Sequence, residues 1–132
     1  MILAPVSVGE LVDKITILEI KLDNISDPAK LENISKEHDI LVEVLGKSGA
    51  KVPMYLQGLL KVTNEKLWDI EDALRKIEKS GLFNKEVQWP SQHKAFIELA
   101  RDVYKLNDAR SDLKRQINEV TGSELIEEKS YV

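Results

Sequence analysis

The longest regular pattern of apolar positions lies over residues 96–120, where Phe96, Leu99, Val103, Leu106, Arg110, Leu113, Ile117 and Val120, all but Arg110 apolar, recur at alternating spacings of three and four. That spacing predicts one long amphipathic helix packed along its length against other helices. Arg110 is the only charged residue in the stripe.

Three more helices precede it. Ser7-Val8-Gly9-Glu10 reads as a capping box behind Pro5, so the first helix is expected to start at Ser7 or Val8. Its stripe is Leu11, Ile15, Leu18, Leu22 and Ile25, but at about 100° per residue Asp13, Ile17 and Ile20 project on the other side, with Thr16 beside them. A helix with two apolar sides is covered on both, so it sits either centrally in a bundle or with its back against a second subunit. Asp13 then loses solvent and needs a partner.

Ser26-Asp27-Pro28 restarts the chain into a second helix with Leu31, Ile34, His38, Leu41 and Leu45 on its seam, ending near Gly46 before a loop at residues 47–51. Val52-Pro53 opens a third, with Leu56, Leu60, Thr63, Leu67, Ile70, Leu74 and Ile77 in register and Ser80-Gly81 as its stop. Phe83, Val87 and Trp89 in the next connection are expected to tuck over the bundle end. Gly122 closes the last helix, and residues 123–132 form an acidic tail with one apolar step at Leu125-Ile126.

The pattern therefore predicts an all-α fold, a four-helix antiparallel bundle with a long C-terminal helical hairpin of about 40 Å. It forms one domain over residues 1–132, with an extended N-terminus at 1–6 and a tail at 123–132. The hairpin outruns the first two helices and leaves apolar surface over. A homodimer is the simplest cover, formed through the back of the first helix at Ile17 and Ile20 or through the hairpin itself.

Composition narrows the function classes. Acidic and basic residues are interleaved and the formal net charge is −4, so there is no basic field for nucleic acid. No apolar run reaches the ~18 residues of a membrane span. The absence of cysteine excludes disulfides, thiolate nucleophiles and cysteine-ligated metals, and fits a cytoplasmic protein. His38 and His93 stand at no ligand spacing, so no metal and no cofactor are expected.

No phosphate loop, dinucleotide fingerprint, nucleophile elbow or paired-histidine metal motif is present. What remains is a set of polar groups beside the seams. Asn64, Glu71 and Arg75 project from one edge of the third helix next to Trp68, and Asn107, Arg110 and Lys114 project from the matching side of the fourth. Facing edges would pair Glu71 with Arg110 and add the charges of Arg75 and Lys114. Two readings follow. One is a polar network that fixes helix register in a helical binding or assembly module, with a protein partner for its surface. The other is a small enzyme or ligand-binding protein holding an anionic molecule, phosphorylated or sugar-linked, between the helices, with Asp13 and the polar residues above around it.

The opening helix superficially resembles that of the all-helical chorismate mutases, but the arginines that family uses there are missing, the first arginine of the chain being Arg75. The acidic pairs characteristic of the all-α nucleoside-triphosphate pyrophosphohydrolases are not reproduced in order either. A closer likeness runs nearly the full chain. The segment Pro5-Val6-Ser7-Val8-Gly9-Glu10-Leu11-Val12-Asp13-Lys14-Ile15, the Leu67-Trp68-Asp69-Ile70-Glu71-Asp72 core, Tyr104, Asn107-Asp108, Arg110, Lys114 and Ile117-Asn118, then Gly122-Ser123 and Glu128-Lys129-Ser130-Tyr131, resemble a family of short bacterial and phage proteins catalogued only as a domain of unknown function. That resemblance implies no activity, cofactor or site residue.

Overall fold

The computed structural model describes residues 1–81 and 90–130, the side chains of residues 90–92 excepted. The expected packing of Phe83, Val87 and Trp89 lies outside the described residues. Four helices follow one another as α1 (Val8–Asn24), α2 (Pro28–Ser48), α3 (Met54–Lys79) and α4 (Pro90–Thr121). The described residues contain no strand.

The helix limits follow from local chemistry. The Ser7 hydroxyl accepts the Glu10 amide at 3.0 Å and starts α1. Asp27 does the same for α2 by accepting the Ala29 amide, with Pro28 at the first helical position. The second helix runs two residues past Gly46, to Ser48, and stops where Gly49 takes a left-handed φ of 74°.

The organising element is α1 rather than α4. Among the described residues it alone packs against all three other helices, whereas α2 packs against α1 only. Hence Leu11, Val12, Ile15, Leu18 and Ile20 are all buried, on both sides of the helix. Ile20, on the face that a second subunit was expected to cover, is 2% exposed within the chain itself. The central core joins Val12 of α1, Leu56 and Leu60 of α3, and Ile117 of α4.

Along α4, only Ile117 of the predicted stripe is fully buried, and Val120 is 56% exposed. Val120, two residues from the Asn118 that bonds Gly9 of α1, is on the side turned away from α1; for Phe96 and Leu99 the reason is length. At 1.5 Å per residue the 17 residues of α1 span about 26 Å, and the 32 of α4 about 48 Å. Thus α1 roofs about half of the α3–α4 hairpin and leaves the rest to two helices alone.

The tail returns over the start of α1. Ser123 accepts the Val8 amide at 3.1 Å, Glu127 accepts from Ser7 and Asn118, and Glu128 pairs with Arg115. Polar contacts dock it, while Leu125 and Ile126 stay exposed.

Candidate functional site

Where α1 lies between α3 and α4, the polar residues that no core would bury alone meet in one network. Asp13 is 1% exposed. Its carboxylate accepts Arg110 Nε at 2.8 Å on Oδ1 and Arg110 Nη2 on Oδ2, a bidentate pair. The same Oδ1 accepts Asn64 Nδ2 at 3.0 Å. Asn64 Nδ2 also reaches Thr16 Oγ1 at 3.0 Å, and the Thr16 hydroxyl donates to the Asp13 carbonyl at 2.8 Å. Arg110 Nη1 leans on Asn107 Oδ1 at 3.4 Å. One turn towards the start of α1, Lys114 Nζ donates to Glu10 Oε2 at 2.6 Å.

Burial by itself would raise the Asp13 carboxyl. The hydrogen bonds from Arg110 and Asn64 and the positive charges of Arg110 and Lys114 outweigh it and hold the group below the usual carboxylate range. The hydrogen bond to Asp13 likewise holds the Arg110 guanidinium above its ordinary value, against the cost of burial. At neutral pH the pair is ionic.

The geometry corrects the expected pairing. Arg110 binds Asp13, not Glu71, because Asp13 is a buried anion in need of a partner and Glu71 is exposed. Glu71 and Arg75 are exposed and pair with each other, one turn apart on α3, at 3.7 Å. Glu10, expected to reach back to the Ser7 amide, turns to Lys114 instead. Of the sequence-predicted residues, Asp13, Asn64, Asn107 and Arg110 come together directly, and Lys114 joins them through Glu10. Trp68 stands beside them, half-buried. Together with Ile17, Ile20, Lys21, Asn64, Leu67, Glu71 and Arg110 it lines an open cleft of about 220 Å³.

Sequence reasoning missed Thr16 as a hydrogen-bonding member, and it missed the second contact at the start of α1. There the Gly9 amide donates to Asn118 Oδ1 at 2.6 Å. A Cβ on Gly9 would press into the Lys114 carbonyl oxygen of α4 and stand 2.9 Å from Asn118 Oδ1, so only glycine lets the two helices approach this closely. The signal was available: a glycine in the first turn of a well-capped helix costs about 1 kcal/mol against alanine, and close packing recovers it. Asn118 carries the contact on to Glu127, whose carboxyl burial would raise but the Ser7 and Asn118 hydrogen bonds bring below its ordinary value.

Among the described residues no three acidic, histidine or cysteine side chains converge as a metal site. Nor is any described helix long and apolar enough to cross a membrane. A family model described as "Family of unknown function (DUF6165)" matches residues 2–132. No curated protein and no solved structure matches the chain.

Proposed function

The chain belongs to this family of unknown function, and we propose that it works as a helical binding or assembly module in the cytoplasm, its buried polar network fixing the frame and its hairpin presenting the binding surface. One observation carries the reading: the network closes on itself. Asp13 occupies two donors of Arg110 and Asn107 a third, Glu10 takes Lys114, and Asn64 ties Asp13 to Thr16. Arg110 and Lys114, the two cations of the network, are already neutralised.

Meanwhile Tyr55, Leu59 and Val62, spaced four and three apart on α3, are all exposed, Tyr55 to 67%. They form one unroofed stripe on the side away from α1, the surface a protein partner would use.

The second reading, an anionic small molecule beside Arg110, rests on the cleft that Arg110, Lys21 and Trp68 share. Its volume of about 220 Å³ falls short of the ~300–1,000 Å³ of typical ligand pockets, and Glu71 on its wall opposes an anion. A thermal-shift screen against inorganic phosphate, nucleotides and sugar nucleotides decides between the two. The module reading expects no stabilisation at millimolar ligand. A ligand at a hundred times its Kd would add about 2.7 kcal/mol, and such a rise, abolished by Lys21→Ala, would overturn the module reading in favour of the cleft.

A further inference from the structure

On the side of the hairpin that α1 leaves open, α3 and α4 enclose a trough of about 440 Å³ whose walls come from these two helices alone. Ile70 and Leu106 form its apolar floor, and Lys66, Asp69, Asp102 and Lys105 form its rim. All four rim residues are exposed. Among the described residues, none of them makes an ion pair. Nearby Asp72 and Lys76 do pair, at 3.1 Å. The rim holds two cations and two anions, one of each on each helix.

We propose that this trough is a self-complementary interface on which a second copy of the chain docks face to face, resting on the assembly reading above and naming its partner. Charge complementarity selects the second copy. An acidic or a basic partner would meet two like charges, whereas a two-fold axis parallel to the helices lays α3 of each copy over α4 of the other. Asp69 of one copy then faces Lys105 of the second, and Lys105 faces Asp69, the reciprocity an isologous contact requires. The same rotation carries the exposed Tyr55 and Leu59 towards the exposed Val120 of the other copy.

The extent is sufficient. The 26 residues of α3 give a face about 39 Å long and, at two helix diameters, about 20 Å wide. That is close to the ~800 Å² per partner that a stable interface buries. Four unpaired charges and a half-buried apolar floor become one closed four-helix layer.

Sedimentation velocity of the full chain across micromolar concentrations tests this, with two charge reversals at exposed positions. The wild type is expected to dimerise, and Asp69→Lys or Lys105→Asp alone to weaken the dimer about tenfold through the two like-charge contacts each creates. The double variant restores opposite signs and returns the Kd to within about threefold of wild type. A wild type that stays monomeric up to about 100 μM, a concentration well above the Kd of a standard interface, overturns the self-docking while leaving a different protein as partner of the module. A dimer whose Kd ignores both single reversals overturns it too, because the interface then lies elsewhere on the chain.

Discussion

Arg110 and Lys105 stand five residues apart on α4, both cations on the same helix, yet one is half-buried in hydrogen bonds and the other rims an open trough. Near Arg110, α1 is present and water is thin, so each charge has been matched: Asp13 to Arg110, Glu10 to Lys114. Lys105 is on the side of the hairpin turned away from α1, and there water does the matching. The difference teaches where each region's charge acts. Inside, a charge unpaired by mutation costs about 3–5 kcal/mol, so the pair dictates which helices meet and in what register. Outside, a pair is worth about 0–1 kcal/mol, too little to shape the fold but enough to choose among partners.

Substitutions should widen or erase that contrast. The largest loss is expected for Arg110→Ala, about 3–5 kcal/mol by denaturant unfolding, since it strands the Asp13 carboxylate at 1% exposure. Gly9→Ala comes next. Its new methyl has backbone ahead of it, the Lys114 carbonyl, which cannot rotate away. Chemical denaturation should register about 2–3 kcal/mol, and Asn118→Ala, which removes only the hydrogen-bond partner, less than that.

Glu127→Gln should cost about 1 kcal/mol at neutral pH, as one charged acceptor becomes neutral. It also changes the acid response. Asp13 and Glu127 both have carboxyls held below their ordinary values in the fold. The unfolded chain therefore binds protons first as pH drops, and the stability these groups supply, complete above about pH 5, drains away through the ordinary carboxylate range near 4 and below. Melting temperature followed from pH 7 to 3 should fall less steeply in Glu127→Gln than in wild type. The smallest effect belongs to the open side: Glu71→Gln breaks only the exposed 3.7 Å pair with Arg75 and should shift stability by under about 0.5 kcal/mol.

The same contrast explains what could be read before the structure. Element limits were legible because each carries its own local chemistry: the Ser7 cap, Asp27 before Pro28, Gly81 and Gly122 at positive φ. So was the strain in placing Asp13 on an apolar helix face, and in placing Arg110 on a seam. Their meeting was not, because helical periodicity fixes which residues share a face of one helix and says nothing of how that face is turned towards another. Asp13 and Arg110 are 97 residues apart, and Glu71 looked the nearer anion along the hairpin. The deciding quantity was burial, which depends on α1 being inserted between α3 and α4. For the same reason the longest stripe does not mark the centre: α4 carries it, but the helix with two apolar sides, α1, takes that place.

The central claim, that the buried network is a frame rather than a ligand site, is tested most directly by a double-mutant cycle on its ion pair. Asp13→Leu, Arg110→Leu and the two combined would be unfolded in urea beside wild type at neutral pH. The frame reading predicts that each single variant loses about 3–5 kcal/mol and that the double variant, with no charge left stranded, comes back to within about 1–2 kcal/mol of wild type. A double variant that loses the full sum of both singles would contradict it, showing that Asp13 and Arg110 serve separate partners and that the pair does not hold the helices in register.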